Sequence, residues 1–206
     1  MEMSQTQKMN QKEQQWDKLL KIRTGGRDDS NADMYHYPYE PTPYAVLERL
    51  ASKEYIGKKH VLVDYGCGKG RVDFFLSYQT KCRSIGIEYD ERILEKALEN
   101  QKAAVSAGRT SFVLANAEEY EIDPSADRFY FFNPFSVTLL RGVIGRIRKS
   151  YYEQPRELLL FFYYPSDEYI AYLMSVEELT FIDEVDCRDL FEGNNLRELV
   201  LVFQFM

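Results

Sequence analysis

Short apolar runs alternate with amphipathic, helix-like segments along most of this chain of 206 residues. Runs such as Val61-Leu62-Val63 are apolar and β-branched, as is typical of strands that are covered on both faces. Alternating strands and helices predict a parallel sheet with right-handed crossovers and helices on both faces. The strands are predicted near residues 60–65, 83–88, 110–115, 127–133 and 156–165, with helices that include 44–52, 71–78 and 166–174.

The last two apolar runs, residues 180–187 and 198–205, follow a different pattern. They are joined by a loop that contains Gly193-Asn194-Asn195. Because this loop is too short for a helical crossover, the two strands are predicted to be antiparallel. The sheet is therefore expected to be mostly parallel and to finish in a C-terminal antiparallel hairpin, which argues against a dinucleotide dehydrogenase.

A glycine-rich loop follows the first strand of this pattern. Gly66, Gly68 and Gly70 lack Cβ atoms, so the chain can turn tightly and a ligand can lie against bare backbone. The dinucleotide pattern Gly-x-Gly-x-x-Gly fails, since its third glycine would fall at Arg71. The pattern that fits is Asp-x-Gly-x-Gly-x-Gly from Asp64, and it closely resembles the first motif of class I S-adenosylmethionine (SAM)-dependent methyltransferases. The alternative is a purely structural turn.

Two more strand ends agree with that resemblance. Glu88 ends the second strand, 24 residues after Asp64, near the offset at which such a site places its ribose-binding carboxylate. The resemblance implies that Asn116 and Ala117, after the third strand, contact adenine. The alternatives are a surface glutamate at a strand end and a helix N-cap at Asn116.

The fourth strand ends in Asn133-Pro134-Phe135. This looks like the Asn-Pro-Pro-aromatic motif of methyltransferases that act on nitrogen, in which Asn holds the acceptor. Here one proline is present and the aromatic arrives one place early, so Asn133 and Pro134 carry the catalytic expectation and Phe135 is expected only to line the substrate pocket. A strand-ending turn is the alternative.

The resemblance covers roughly residues 41 to 206 and implies a fold, a cofactor and a site. The fold is a Rossmann-like α/β domain with a seven-stranded, mostly parallel sheet, helices on both faces and a C-terminal antiparallel hairpin. The cofactor is S-adenosyl-L-methionine, whose sulfonium and ammonium an acidic Asp64 would favour. The expected cofactor-binding residues are Asp64, Gly66, Cys67, Gly68, Gly70, Glu88, Asn116 and Ala117.

Residues 1–40 form a separate polar arm with a Tyr- and Pro-rich end. A short helical stripe includes Trp16 and Leu20, and residues 25–31 read as a loop or hinge. The arm is expected either to be disordered or to fold over the domain as a lid. Tyr37, Tyr39 and Tyr44 then either line the substrate pocket or pack the arm on the core.

Composition narrows the choice of partner. The formal net charge of −7 argues against broad binding to nucleic acid, which relies on a basic surface. Three cysteines without a CxxC pair and two distant histidines give no metal site and fit a reducing, cytoplasmic compartment. No apolar run approaches the ~20 residues that span a bilayer.

Three classes of function follow. The first is a methyltransferase that acts on a nitrogen of a protein side chain or small molecule, and the absence of an evident base near the motifs favours it. The second is an RNA methyltransferase, and the third is a SAM-binding protein without catalysis. The pattern leaves the acceptor and the oligomeric state open.

Overall fold

The structure, a computed structural model, describes residues 5–28, 37, 39–193 and 195–206. The predicted loop at 25–31, the Tyr- and Pro-rich stretch and the hairpin loop at 193–195 therefore lie partly outside the described residues. The strands are β1 (Val61–Tyr65), β2 (Arg83–Glu88), β3 (Thr110–Leu114), β4 (Arg128–Phe131), β5 (Leu158–Tyr163), β6 (Leu179–Asp186) and β7 (Leu199–Phe205). The α-helices are α1 (Gln5–Leu20), α2 (Tyr44–Ser52), α3 (Arg71–Thr80), α4 (Glu91–Gln101), α5 (Val137–Glu153) and α6 (Asp167–Leu173).

The described strands form one seven-stranded sheet in the order β3-β2-β1-β4-β5-β7-β6. The first five strands in this order are parallel, whereas β7 pairs antiparallel with both β5 and β6. The predicted fold class and the C-terminal hairpin are confirmed. From β1 the chain first adds β2 and β3 on one side and then crosses to β4 on the other. In open α/β sheets, ligands bind at such a switch point, outside the carboxyl ends of the strands.

The two faces of the sheet carry two apolar cores because side chains alternate along each strand. Val61 and Val63 of β1 face a core that includes buried residues of α5 and α6. Leu62 faces the other core, together with buried residues of α2 and α3. The carboxyl edge of the sheet remains between these layers, so the residues that follow β1, β2 and β4 meet there.

The described part of the N-terminal arm packs on the domain. The ring of Trp16 meets the edge of Phe75 on α3 at a centroid distance of 4.8 Å, and its indole N–H donates to Glu48 on α2 at 2.7 Å. Arg71, the first residue of α3, is buried and pairs with Glu13 of α1. Residues 5–28 therefore pack against α2 and α3, and the role of the arm as a lid stays a prediction.

In the described ranges, no helix combines the length and the apolar character that crossing a bilayer requires. The three cysteines are buried and unpaired. Within the same ranges, no group of three or more His, Cys, Asp or Glu side chains is arranged to hold a metal ion.

Candidate cofactor and acceptor site

The glycine loop between β1 and α3 needs glycine for two reasons. Gly66, Gly68 and Gly70 have φ angles of +77°, +56° and +83°, which side chains with a Cβ adopt only under strain. A Cβ on Gly66 would lie 2.6 Å from the Cβ of Pro134, and one on Gly68 would lie 2.2 Å from two ring atoms of Tyr39. The loop therefore lies directly beneath the arm and the residue after Asn133.

Cys67 lies between these glycines in a space that admits only a small residue. Its side chain is buried, and its Sγ would lie 2.7 Å from a Cβ at Gly86 of β2. Burial raises the pKa of the thiol well above its ordinary value. These surroundings favour an inert thiol that packs the loop against β2.

Glu88 ties the glycine loop to the end of β2. Its Oε2 accepts a hydrogen bond from the N–H of Gly68 at 3.0 Å. Its Oε1 accepts from the N–H groups of Tyr89 at 2.9 Å and Asp90 at 3.0 Å. Burial raises the pKa of Glu88, although these three donors oppose the rise. The carboxylate is only 6% exposed and lies in the wall of a cleft, where it can accept one more donor.

Asp64 lies beneath the loop and is not among the residues that line the cleft. As Leu62 does, it points to the face of the sheet that α3 covers, because the two positions differ by two residues. Its carboxyl meets that of Asp73, and one oxygen of each is buried without any other partner among the described residues. Burial and the neighbouring acids raise the pKa of Asp64 well above its ordinary value, and burial raises the pKa of Asp73 to about 7. The two carboxyls can share one proton, and the predicted contact of Asp64 with the cofactor stays a prediction.

The first cavity opens at the switch point and encloses about 770 Å³ of free space, including its mouth. Eight of the predicted site residues line it: Tyr37, Tyr39, Gly66, Glu88, Asn116, Ala117, Pro134 and Phe135. Gly68 and Gly70 do not line it, because Tyr39 covers the former and the latter ends the loop at the start of α3.

Asn116 stands on the far wall of this cavity, beyond Glu88. Its Oδ1 accepts from the N–H of Glu118 at 3.2 Å, and its carbonyl accepts from Glu119 at 3.0 Å and Tyr120 at 3.1 Å. Asn116 therefore caps a turn at residues 117–119, where no helix begins, and it lies in the cleft wall. Ala117 follows it in the same wall.

Asn133 and Pro134 lie on the boundary between two cavities. Asn133 has φ +41°, uncommon for a residue with a side chain, and its Oδ1 is buried with no partner among the described residues. The carbonyl of Pro134 accepts from the N–H of Tyr37 at 3.2 Å, which holds the arm against this turn. Phe135 is buried, and its carbonyl accepts from the hydroxyl of Tyr169 at 2.6 Å.

The second cavity lies on the other side of this turn, and its free space, open solvent included, is about 1,060 Å³. It shares Tyr37, Glu40 and Phe132 with the first cavity, and Asn133 belongs to it alone. Its other lining residues, which the sequence analysis did not single out, are Met9, Arg27, Pro43, Tyr163, Tyr164, Phe191 and Glu198. The signal that could have found two of them is the aromatic end of β5, since all parallel strands bring their carboxyl ends to this edge.

The three tyrosines that the sequence analysis placed near the substrate pocket have different surroundings. Tyr37 is 40% exposed and lines both cavities. Tyr39 lies over Gly68, and its hydroxyl donates to the carbonyl of Thr24 at 2.6 Å. Tyr44 is fully buried beneath the guanidinium of Arg71, 4.3 Å from its ring centroid, and lines neither cavity. The expectation that Tyr44 lines the pocket is wrong, because its place in the first turn of α2 directs it into the core.

Comparison with solved structures identifies the fold. A putative rRNA methylase from Clostridium thermocellum superposes with a TM-score of 0.58 at 12% identity, covering 81% of this chain and 99% of that chain. A SAM-dependent methyltransferase from Thiobacillus denitrificans, in complex with S-adenosyl-L-homocysteine, gives 0.54 at 15% identity over 80% of this chain and 91% of that chain. The fold is that of the class I SAM-dependent methyltransferases, as the four motifs predict.

Comparison of sequences describes the type of domain more closely than comparison of folds does. Residues 56–157 match the model of a methyltransferase domain family. A protein-lysine N-methyltransferase from Saccharolobus islandicus (strain REY15A) is 30% identical over 88 residues, which are 42% of this chain and 55% of that protein. The chain thus spans about half the length of the curated relative that it matches.

Proposed function

We propose that this protein is an enzyme that transfers the methyl group of S-adenosyl-L-methionine to a nitrogen of a protein side chain or small molecule. One observation carries the proposal. Two cavities share Tyr37, Glu40 and Phe132 and are separated by the consecutive residues Asn133 and Pro134. A cofactor in the first cavity and an acceptor in the second would meet at this turn.

The residues of the first cavity fit the cofactor. The cavity ends at the glycine Gly66, Glu88 keeps one acceptor position for a ribose hydroxyl, and Asn116 and Ala117 offer polar and backbone groups for the adenine. Bound S-adenosyl-L-methionine supplies a methyl group on a sulfonium, which leaves as a neutral thioether. The protein's task is therefore to align the acceptor and to exclude water.

Asn133 suits the task of holding a nitrogen acceptor. Its buried, unpaired Oδ1 can accept an N–H bond from the acceptor, which orients the nitrogen lone pair. An amine attacks with that lone pair, so a protonated amine first loses one proton to water, and the methylated product nitrogen loses its extra proton to water afterwards. A hydroxyl acceptor would need a base at the same position.

Three features bear on the acceptor class. The curated relative is a protein-lysine N-methyltransferase, which supports a protein nitrogen. Structural neighbours include rRNA methylases, and the Asn-Pro turn also occurs in nucleic-acid methyltransferases, so RNA is the second candidate. The net charge of −7 disfavours RNA.

The first test is calorimetric titration of the purified protein with S-adenosyl-L-methionine and S-adenosyl-L-homocysteine, with NAD as the control ligand. We expect micromolar binding of both SAM and its product and no binding of NAD. No binding of either ligand to folded protein would refute the proposal.

The second test separates catalysis from binding. Asn133→Gly removes the side chain without strain, because glycine adopts φ +41° freely. We expect this variant to bind SAM as the wild type does and to lose transfer of radiolabelled methyl groups to a peptide library. Unchanged transfer would assign the turn a structural role only.

A further inference from the structure

Three aromatic rings form a connected wall of the second cavity. The ring of Phe132 is 4.6 Å from that of Tyr163 and 6.4 Å from that of Tyr164, with interplanar angles of 49° and 78°. Tyr163 and Tyr164 are 6.0 Å apart at 59°. Because no two of these rings are parallel, they offer faces and edges in several directions around a common volume.

The surrounding structure fixes these rings. Tyr163 is buried, and its hydroxyl donates to Glu198 at 2.6 Å. The hydroxyl of Tyr164 accepts from Nδ2 of Asn195 at 2.7 Å. Tyr164 also has φ +52°, a conformation that is costly for a bulky residue and that tends to occur at functional sites. A strained, hydrogen-bonded ring at the end of β5 is thus held in the cavity wall.

The cavity also has a negative character. Glu198 and Glu40 both line it, and the charge of Glu40 adds to the burial that raises the pKa of Glu198. Arg27 is 3.7 Å from Glu40, and both side chains are 60% exposed at the rim. Within the described part of the chain, no lysine or arginine forms an ion pair with Glu198. A carboxylate with a rigid hydrogen bond to Tyr163 therefore faces the cavity without a neutralising partner.

We infer that the second cavity binds the alkylammonium end of a lysine-like side chain, held between the Phe132, Tyr163 and Tyr164 rings and Glu198. Aromatic faces attract an ammonium through their quadrupoles, and the attraction is strongest where water is excluded. A carboxylate adds a charge-assisted hydrogen bond. Among the described residues that line this cavity, a phosphate would meet two carboxylates and one cation, Arg27, which is already paired with Glu40, so this wall disfavours a nucleic-acid backbone. The inference rests on the proposed function and names the acceptor class for it.

The test measures binding rather than turnover. Amide NMR spectra of the protein saturated with S-adenosyl-L-homocysteine are titrated with acetyl-Gly-Lys-Gly-amide and with the matched norleucine peptide, which lacks the amine. We expect the lysine peptide to bind at least tenfold more tightly than the norleucine peptide, with shifts at residues that line the second cavity. n-Butylammonium is titrated in parallel, and binding by it alone would support the chemistry and assign it to a small free amine.

Two variants connect the binding to this cavity. Glu198→Gln keeps an acceptor for the hydroxyl of Tyr163 and removes the charge, and Tyr164→Asn removes a ring while tolerating the left-handed backbone. Each should lower the lysine-peptide affinity at least tenfold, whereas the remote, exposed Glu99→Gln should not change it.

Three results would overturn the inference: equal affinity for the lysine and norleucine peptides, wild-type affinity in both variants, or binding of a single-stranded RNA oligonucleotide in place of the peptide. Calorimetric titration with SAM tests the proposed function separately from this inference. Normal SAM binding without lysine binding refutes this inference alone, whereas loss of SAM binding refutes the proposed function.

Discussion

The substitution Glu88→Gln tests the ribose contact most directly. A carboxylate offers about four acceptor positions, and Glu88 uses three of them for the N–H groups of Gly68, Tyr89 and Asp90. One position therefore remains for a ligand hydroxyl. Glu88 can therefore accept from one ribose hydroxyl but not from both.

The expected loss of cofactor affinity follows from the one acceptor position that remains on Glu88. Replacing one charge-assisted hydrogen bond costs about 1.5–3 kcal/mol, which is roughly a 10- to 100-fold loss of cofactor affinity. The amide NH₂ of the new side chain must also face at least one backbone N–H. Stability should therefore fall by about 1–3 kcal/mol, the cost of leaving one buried donor unsatisfied.

Isothermal titration with S-adenosyl-L-homocysteine measures the affinity, and urea unfolding checks that the variant is folded. Glu99→Gln, on the exposed face of α4, is the matched control and should bind as the wild type does. The 2′-deoxy and 3′-deoxy analogues of S-adenosyl-L-homocysteine identify which ribose hydroxyl contacts Glu88. Only one of them should bind the wild type more weakly than the parent ligand, and neither should lose affinity for Glu88→Gln. Affinity within threefold of the wild type in folded Glu88→Gln would refute the ribose assignment.

Three further predictions concern the loop and its supports. Gly68→Ala puts a methyl group into the ring of Tyr39 and should lower urea stability by about 1–3 kcal/mol through strain at positive φ, whereas Gly108→Ala, with open space around its Cα, should not. Arg71→Met removes a buried guanidinium and leaves acidic partners behind, so thermal unfolding should show a loss of about 3–5 kcal/mol, and a loss below 1 would contradict the assigned role. The raised pKa of Asp73, about 7 against an ordinary 3.8, means that folding favours its protonated form, so the unfolding free energy should fall as pH rises from about 4 to 7. Asp73→Asn should flatten that part of the pH profile, and an unchanged slope would rule out this carboxyl as its source.

The fold could be predicted because its signals are local. Apolar runs with a period of two, glycines at a strand end and a loop too short for a crossover are each visible within about ten residues. Glu88 and Asn116 were predictable for a related reason, since parallel strands bring their carboxyl ends to one edge of the sheet.

The second cavity could not be predicted because its parts come from distant segments. Glu198 precedes the last strand, Tyr164 follows the fifth, and only the antiparallel placement of β7 beside β5 brings them together. The side-chain directions of Asp64 and Tyr44 could not be predicted for a similar reason. Both residues lie near the motif in the sequence, but the direction of each side chain depends on which helix covers that face.

Arg71 couples the opening of the N-terminal arm to the opening of the glycine loop. It is the first residue of α3, and its guanidinium contacts Glu13 of α1, the hydroxyl of Thr24 at 2.7 Å and the carbonyl of Thr42 at 3.2 Å. Local opening of α1 would remove partners of the buried guanidinium of Arg71. This charge lies at the start of α3, the helix that follows the glycine loop. The arm and the loop should therefore open as one cooperative unit. A ligand that stiffens the loop would, by linkage, also slow exchange of the arm's amide hydrogens with solvent.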